Sequence, residues 1–251
     1  MTTNARPDDR RPIELLPAVD VLGGKVAQLV QGVAGTEKTF GDPVEAALRW
    51  QNAGAEWIHL VDIDAAFARG DNRELLAEVV RAVDIDVELS GGVRDEESLT
   101  AALATGCRRA VIGSDALANP DWCRRAIADH GDRVAVALDV RGETLSPRGG
   151  YDDVGELFGT LARLDSEGCS RYVVTDVDRD GALHGPNFEL LRAVCAATDR
   201  PVVASGGVAG LQDVADLQAM RSEGLEGAVV GTALHERRFT LEQALETTRA
   251  R

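Results

Sequence analysis

The segment Leu16-Pro-Ala-Val-Asp-Val21 recurs later in the chain as Ala135-Val-Ala-Leu-Asp-Val140. The two copies place Asp20 and Asp139 at equivalent positions, 119 residues apart. Each copy is a short apolar run that leads to an aspartate, and such runs are typical of buried strands in parallel sheets. The repeat therefore predicts two similar halves, each with a buried strand that carries a carboxylate near its end.

Three further segments repeat in the same order. The pairs are Val61-Asp-Ile-Asp64 with Thr175-Asp-Val-Asp178, Ser90-Gly-Gly-Val93 with Ser205-Gly-Gly-Val208, and Val111-Ile-Gly-Ser114 with Val229-Val-Gly-Thr232. Their offsets lie between 114 and 118 residues, close to the offset of the aspartates. Self-similarity at a nearly constant spacing indicates an internal structural repeat. We therefore expect two half-domains of about 120 residues each.

Short apolar runs alternate with amphipathic stretches along the whole chain. The predicted strands are 13–21, 57–62, 86–90, 110–113, 134–140, 172–176, 201–205 and 228–231. The predicted helices are 44–53, 72–83, 95–104, 120–129, 154–167, 188–197, 211–220 and 241–248. Eight such alternations predict an α/β fold, a (β/α)8 TIM barrel with an internal twofold half-barrel repeat. A doubly wound open sheet is the alternative, although it would not require two matching halves.

The chain shows no linker or composition break after its first residues. Residues 1–12 are polar and lack an apolar segment, so they predict a disordered leader and not a secretory signal. We expect one barrel over 13–251, with half-barrels at about 13–131 and 132–251. No run of 18 apolar residues occurs, which argues against a membrane span.

Charge and cysteine content narrow the classes of partner. A net charge of −15 disfavours nucleic acids and anionic membranes as partners. The four cysteines form no CxxC pair and no zinc-type cluster with histidines, so we expect no metal and small buried thiols in a reducing cytoplasm. Internal twofold symmetry can replace a dimer, and a monomer is therefore expected.

Asp20 and Asp139 are the candidate catalytic pair. They lie near the carboxyl ends of the first and fifth predicted strands, which face each other in an eight-stranded barrel. Two carboxylates across a barrel mouth can divide acid and base work, one protonating an oxygen and the other removing a proton from carbon. A single aspartate at a strand end is often only a cap, but two at equivalent positions are not explained by folding alone.

The repeated glycine turns are candidate phosphate sites. Glycine lets the backbone approach an anion closely, and the turns after the last two strands of a barrel often hold phosphate. Here the third and fourth strands carry a second copy, so we expect a ligand with phosphate at both ends. The candidate residues are Ser90, Gly91, Gly92, Gly113, Ser114, Ser205, Gly206, Gly207, Gly231 and Thr232.

Other polar residues near strand ends are weaker candidates. Thr175 can donate a hydrogen bond at the reacting centre, whereas His59 is expected to be a core histidine or a specificity residue. His184 is expected at the rim, and loop caps are favoured for Asp64, Asp178 and Asp180. The long connections 22–41 and 141–153 are expected to be lids over the carboxyl-terminal face.

Several of these motifs together resemble the histidine-pathway ProFAR isomerases, including the phosphoribosyl isomerase A branch that also serves tryptophan biosynthesis in some high-GC bacteria. The resemblance runs from about Glu14 to the C-terminus. The motifs are Leu15-Leu-Pro-Ala-Val-Asp-Val21, His59-Leu-Val-Asp62, Glu88-Leu-Ser-Gly-Gly-Val-Arg94, Ala137-Leu-Asp-Val-Arg-Gly142, Val174-Thr-Asp176 and Asp180-Gly181.

The resemblance implies a cofactor-free Amadori rearrangement, in which an aminoaldose becomes an aminoketose. By this likeness Asp139 is the general acid that helps to open the ribose ring, Asp20 is the base that takes the C2 proton, and Thr175 assists at the sugar. ProFAR carries two phosphates, which agrees with two glycine-turn pairs. Arg148 and Gly181 join the predicted substrate contacts. Phosphoribosyl anthranilate, the tryptophan-pathway substrate, carries one phosphate and would use the side of the seventh and eighth strands.

The chain departs from the bifunctional pattern at two places. Such members usually carry arginine where this chain has Gln28, and Arg-Gly-Trp where it has Arg148-Gly149-Gly150-Tyr151. Glutamine cannot reproduce the bidentate clamp of arginine on a carboxylate or phosphate, and tyrosine offers a smaller stacking face than tryptophan. We therefore treat Gln28, Gly150 and Tyr151 as specificity positions, and one of the two activities is expected to be weak or lost.

Two other functions remain open from the sequence. The sister cyclase of the histidine pathway is also a twofold barrel with an aspartate in each half, but Pro17-Ala-Val-Asp20 and Val174-Thr-Asp176 favour the isomerase. A barrel that binds phosphorylated ligands without catalysis is the alternative from another class, and intact Asp20 and Asp139 argue against it.

Overall fold

The structure is a computed structural model that describes residues 11–29, 31, 35–147 and 152–249. Most of the predicted leader, residues 1–10, lies outside the described residues, and positions 11 and 12 have no regular secondary structure.

Eight parallel strands form the centre of the molecule. They are β1 (Glu14–Leu22), β2 (Trp57–Asp62), β3 (Asp86–Ser90), β4 (Arg109–Ile112), β5 (Val134–Arg141), β6 (Tyr172–Asp176), β7 (Val202–Ser205) and β8 (Leu225–Val230). Each strand pairs in parallel with the next, and β8 pairs with β1, so the sheet closes on itself. Closure confirms the (β/α)8 barrel and is incompatible with the open doubly wound sheet.

A helix follows each strand in the chain. The helices are α1 (Pro43–Asn52), α2 (Arg73–Ala82), α3 (Glu96–Ala104), α4 (Pro120–His130), α5 (Leu157–Ser166), α6 (Phe188–Ala197), α7 (Leu211–Ala219) and α8 (Leu241–Arg249). Two short helices, Ile63–Ala66 and Thr232–His235, and three 3-10 turns, Ser114–Ala118, Gly131–Arg133 and Met220–Glu223, were not predicted. The helices α2 and α6 have equal length and start 115 residues apart, which extends the repeat beyond the strand ends.

The core has two parts. The larger part packs the outer faces of the strands against the helices, and it includes the four cysteines, which are buried as predicted. Burial raises the pKa of each thiol, so these cysteines are unreactive packing residues. The smaller part fills the barrel interior with Leu16, Val111, Ala135, Val173 and Val203. A filled interior leaves the carboxyl-terminal mouth as the place for a site.

The two predicted lid segments begin as β-hairpins and not as plain loops. Lys25–Gln28 runs antiparallel to the end of β1 and pairs with Lys38–Thr39. Thr144–Leu145 runs antiparallel to the end of β5 and pairs with Gly155–Glu156. Helix α5 therefore starts at 157 and not at 154, because Glu156 ends this short strand and caps the helix through the N–H groups of Phe158 and Gly159.

Equivalent polar contacts tie each hairpin to the loop after the next strand. In the first half the N–H of Gly23 donates to Asp64 Oδ2 at 2.7 Å, and Asp62 accepts from the side chain of Asn72. In the second half the guanidinium of Arg141 donates to Asp178 Oδ1 at 3.1 Å, and Asp176 accepts from the side chain of Asn187. Asp64 and Asp178, which were expected to be loop caps, therefore anchor the two hairpins, and the short helix after β2 is capped by Asp62.

A buried ion pair lies among the interior strands. Glu88 on β3 is 0% exposed, and its carboxylate accepts hydrogen bonds from Arg109 on β4 and from His59 Nδ1 on β2. The Arg109 guanidinium lies over the Trp57 ring, 4.3 Å from its centre. Burial acts to raise the pKa of Glu88, but the charge of Arg109 and the hydrogen bond from His59 outweigh burial and lower the pKa from 4.5 to about 2.

We predict that Glu88→Gln lowers the free energy of unfolding by about 3–5 kcal/mol, because it leaves the Arg109 charge buried without a partner. Urea denaturation measures the change. Asp132→Asn is the matched control, since Asp132 pairs with the neighbouring Arg108 on the surface, where such pairs contribute at most about 1 kcal/mol. Equal losses in the two variants would contradict a special role for the buried pair.

The lowered pKa of Glu88 predicts that the free energy of unfolding depends on pH. Because its folded pKa is below its unfolded value, Glu88 stabilises the fold fully above pH 4.5, and this contribution is lost as pH falls from 4.5 towards 2. Urea denaturation at a series of pH values should show a steeper decline between these limits for the wild type than for Glu88→Gln. Parallel declines would show that Glu88 is not the group responsible.

Candidate active site

A cleft of about 1260 Å³, part of it open to solvent, lies at the carboxyl ends of the barrel strands. Every predicted site residue that the structure describes lines this cleft. These residues are Asp20, Gln28, His59, Ser90, Gly91, Gly92, Gly113, Ser114, Asp139, Thr175, Gly181, Ser205, Gly206, Gly207, Gly231 and Thr232. Arg148, Gly150 and Tyr151 lie outside the described residues.

The two aspartates occupy opposite sides of this cleft. Asp20 lies on β1 and Asp139 on β5, and these strands are four steps apart in either direction around the barrel. Each aspartate stands two residues before the end of its strand, where the strand continues into the hairpin. The geometry therefore presents two carboxylates to a ligand from opposing walls.

Asp139 is held by a neighbouring hydroxyl. Ser114 Oγ donates to Asp139 Oδ2 at 2.8 Å and accepts from the Asp139 N–H at 2.9 Å. Thr175, which is 4% exposed, stands beside Asp139 in the register of β5 and β6. The structure thus groups a carboxylate and two hydroxyls on the β5 side.

Asp20 is held through an amide. Gln28 Nε2 donates to Asp20 Oδ2 at 2.7 Å, and Thr232 Oγ1 donates to Gln28 Oε1 at 2.9 Å. The residue beside Asp20 in the register of β1 and β2 is Val61, the repeat equivalent of Thr175. The two walls of the cleft are therefore related in backbone but different in chemistry.

Close packing against neighbouring loops requires glycine in the pairs after β3 and β7. Gly91 has φ +96°, and a Cβ there would lie 2.2 Å from the Asp62 carbonyl oxygen. Gly207 has φ +89°, and a Cβ there would lie 2.5 Å from the Gly185 carbonyl oxygen. Packing of the neighbouring loop thus requires glycine at both turns, whether or not an anion binds. Their role in phosphate binding stays a prediction.

His59 combines the two roles expected of it. It is buried and hydrogen-bonded to Glu88 at 2.7 Å, as a core histidine would be, and it also lines the cleft. His184 is exposed, as predicted for a rim residue, and is not among the residues that line the cleft.

Two acidic residues of the cleft were missed by the sequence reasoning. Asp180, for which a capping role was favoured, lines the cleft, and so does Asp115 in the turn after β4. Burial raises the pKa of Asp115, and the charge of Arg94, whose Nε lies 3.3 Å from the carboxylate, opposes this rise. Asp115 directly follows the predicted Gly113-Ser114 turn, and this position in the sequence could have identified it as a cleft residue.

The first lid touches the loop after β6 on the far side of the opening. The N–H of Gln31 donates to the Asp180 carbonyl at 2.8 Å, and its side-chain amide donates to the Asp178 carbonyl at 2.7 Å. This contact links the β1 connection to the loop after β6, and its function as a lid stays a prediction.

The electrostatics of the cleft are unusual for an anion site. The described lining residues include four aspartates and neither lysine nor arginine. Among these residues, phosphate can therefore be held only by backbone N–H groups, by hydroxyls and amides, or by His59. Within the part of the chain that the structure describes, no group of three or more potential metal ligands occurs, and no helix is long and apolar enough to cross a membrane.

Comparison with known proteins assigns the family. The model of the family described as histidine biosynthesis protein matches residues 14–240. A protein of Nocardioides sp. (strain ATCC BAA-499 / JS614) is 67% identical over 237 residues, 94% of this chain and 97% of that protein. It is named 1-(5-phosphoribosyl)-5-((5-phosphoribosylamino)methylideneamino)imidazole-4-carboxamide isomerase, and a protein of Thermobifida fusca with the same name is 65% identical, covering 94% of this chain and 97% of its own length.

A third relative carries the name phosphoribosyl isomerase A. It comes from Streptomyces griseus and is 62% identical over 238 residues, which cover 95% of this chain and 99% of the relative. The family match spans the whole barrel except its last helix, and the relatives extend over nearly the full chain. The chain is therefore an isomerase that belongs to the histidine biosynthesis protein family.

Proposed function

We propose that this protein catalyses the cofactor-free Amadori rearrangement of ProFAR, with Asp139 as general acid and Asp20 as general base. The observation that carries this assignment is the pair of carboxylates on β1 and β5, which face one cleft from opposing walls. Two of the relatives named above, those of Nocardioides and Thermobifida fusca, are isomerases named for a compound with two phosphoribosyl groups, the compound called ProFAR here.

The first chemical step is the opening of the ribose ring. Protonated Asp139 delivers its proton to the ring oxygen, the bond between that oxygen and C1 breaks, and the nitrogen lone pair forms an iminium at C1. Ser114 holds the carboxyl group of Asp139 at Oδ2, and Thr175 stands beside it on β6 to bond the sugar hydroxyls.

The second step is the removal of a proton from carbon. The Asp20 carboxylate takes the C2 proton, the electron pair of the C–H bond forms the C1–C2 double bond, and the π pair of the iminium returns to nitrogen, which gives an enolamine. Ketonisation at C2 and protonation at C1 give the aminoketose. The oxidation of C2 balances the reduction of C1, so the reaction needs no external oxidant or reductant.

The phosphates of the substrate are assigned to the repeated turns. One phosphate is placed at the turns after β3 and β4, and the other at the turns after β7 and β8, where all the predicted residues line the cleft. The support for this assignment is their paired placement on two sides of the mouth. Arg148 is assigned to the substrate as well, as the resemblance implies.

The chemistry of Gln28 favours ProFAR over phosphoribosyl anthranilate. Anthranilate adds a carboxylate that an arginine at position 28 could clamp, whereas Gln28 is neutral and its polar atoms are bonded to Asp20 and Thr232. We therefore assign ProFAR as the main substrate and weak turnover to phosphoribosyl anthranilate.

We predict that Asp20→Asn and Asp139→Asn each lower kcat for ProFAR by at least about a hundredfold, because general acids and bases contribute 10²–10⁴-fold. Asp121→Asn, a change at an exposed aspartate of α4, is the matched control and should keep wild-type turnover. The assay contains no ammonia source, so that turnover also separates the isomerase from a cyclase. More than about a tenth of the rate in either active-site variant would refute the assigned roles.

We also predict unequal rescue of two auxotrophs. The gene should restore growth of a histidine auxotroph that lacks ProFAR isomerase, and it should restore a tryptophan auxotroph lacking phosphoribosyl anthranilate isomerase poorly or not at all. Gln28→Arg is the informative variant, because a cation at this position should improve the tryptophan phenotype. Equal rescue of both strains by the wild type would overturn the assigned preference, and rescue of neither would favour a non-catalytic barrel.

A further inference from the structure

The proposed base Asp20 accepts a hydrogen bond from a side chain on a different strand. Gln28 ends the short strand Lys25–Gln28, which folds back along β1, and it is 8% exposed. Its amide nitrogen donates to Asp20 Oδ2 at 2.7 Å, and its amide oxygen accepts from Thr232 Oγ1 at 2.9 Å. A continuous hydrogen-bonded chain therefore runs from the turn after β8 to the carboxylate on β1.

The direction of this chain is determined by its two ends. A carboxylate can only accept, so the atom of Gln28 that faces Asp20 must be the nitrogen. The oxygen of the same amide then faces Thr232, whose hydroxyl has one proton to give and donates it to that oxygen. Each residue thus fixes the orientation of the next one.

The neighbouring backbone leaves room for the amide. A Cβ at Gly231 would lie 2.8 Å from Gln28 Oε1 and 3.3 Å from the Ala18 side chain. Any larger residue at 231 would therefore push the amide away from its partners. Glycine at position 231 therefore leaves space for the Gln28 amide, in addition to the phosphate role proposed above.

The internal repeat supplies a second, independent observation. Ser114 and Thr232 are equivalent residues, 118 positions apart. Ser114 follows β4, the neighbour of β5, and Thr232 follows β8, the neighbour of β1, so each lies next to a strand that carries an aspartate. Ser114 donates directly to Asp139 at 2.8 Å, whereas Thr232 donates to Gln28, which in turn donates to Asp20. In both halves the hydroxyl supports the adjacent aspartate, and Gln28 is the added link in the first half.

We propose that Gln28 is a positioning residue, which holds the Asp20 carboxylate in the orientation that removes the substrate proton, and that Thr232 holds Gln28 in turn. This inference rests on the proposed function, and it adds a role for two residues that were assigned only to specificity and to phosphate. A donor on the carboxylate favours its charged form, which is the form a base needs. A fixed carboxylate also avoids the loss of rate that follows from a misplaced catalytic group.

Glutamine suits this position in a way that arginine would not. Arginine has five donors and no acceptor, so it could bond Asp20 but could not accept from the Thr232 hydroxyl. The neutral amide joins a carboxylate to a hydroxyl without adding a charge beside the base. The departure from the bifunctional pattern at position 28 therefore changes how the base is held.

The test compares four variants with the wild type. Gln28→Met keeps the length of the side chain but removes both polar groups, Thr232→Val removes the hydroxyl at nearly constant shape, and a double variant combines them. Gln212→Met is the matched control, since Gln212 also donates to a carboxylate, that of Asp216 on the exposed face of α7. Urea denaturation of every variant establishes that it is folded.

The primary readout is the carboxyl ¹³C titration of Asp20 in the free protein, with its resonance assigned by its loss in Asp20→Asn. His59, Asp115, Asp139 and Asp180 also line the cleft, and His235 lies behind β1 with its Nε2 2.9 Å from the Ala18 carbonyl oxygen. None of these groups changes in the variants. We expect the Asp20 midpoint to rise in Gln28→Met, because the variant loses the donor that favours the charged carboxylate, and to stay in place in Gln212→Met.

The second readout is the separation of kcat from KM with ProFAR. We expect kcat of Gln28→Met to fall about tenfold to a hundredfold with little change in KM, because the base acts in the chemical step. Thr232→Val should lower kcat less, and it should lower it no further when Gln28 is already methionine, since both changes break one chain.

Three results would overturn the inference. An Asp20 midpoint and a kcat in Gln28→Met that match the control would show that the bridge has no effect, and a raised KM at constant kcat would make Gln28 a substrate contact. Additive effects of the two substitutions on kcat would show that Thr232 does not act through Gln28. If Gln28→Met does not fold, Thr232→Val decides by the same readouts. A wild type without turnover would instead refute the proposed function, while the titration would still report on the bridge.

Discussion

Closure of the eight parallel strands is the constraint on which the rest of the structure depends. A closed barrel of eight strands places β1 and β5 on opposite walls, so a sequence motif repeated once per half must present its two aspartates to each other. The two strands that carry the aspartates continue into hairpins, and each aspartate lies two residues before the end of its strand. The opposed pair is therefore a consequence of topology, and the chemistry follows from what surrounds each member.

The surroundings are where the two halves differ. Asp139 lies beside Thr175 and accepts directly from Ser114, while Asp20 lies beside Val61 and accepts from Gln28. A symmetric pair of carboxylates would have no reason to divide acid and base work. The two aspartates differ in their hydrogen-bond partners and in their neighbours on the adjacent strand, so the cleft presents two chemically different sides to a substrate.

Much of the fold and most of the described site followed from the sequence, because repeats and hydrophobic periodicity report directly on strands, helices and their order. The residues that sequence reasoning missed are those whose role depends on tertiary contact. Asp115 and Asp180 line the cleft because turns from distant strands meet there, and α5 starts late because Glu156 pairs with Thr144. The glycines after β3 and β7 suggested an anion site, but only the structure shows that loop packing also requires them. The link from Thr232 to Gln28 spans 204 residues of sequence, which no local pattern can reveal.

The central claim is that Asp139 opens the ring and Asp20 removes the carbon-bound proton. The most direct test is the kinetic isotope effect on kcat/KM with ProFAR deuterated at C2 of the isomerised ribose, measured for the wild type and for the residual activity of the two asparagine variants. If Asp20 is the base, its replacement makes proton removal limiting and the isotope effect rises; if Asp139 is the acid, its replacement makes ring opening limiting and the effect falls towards one. The reverse pattern, or the same isotope effect in both variants, would contradict this division of labour.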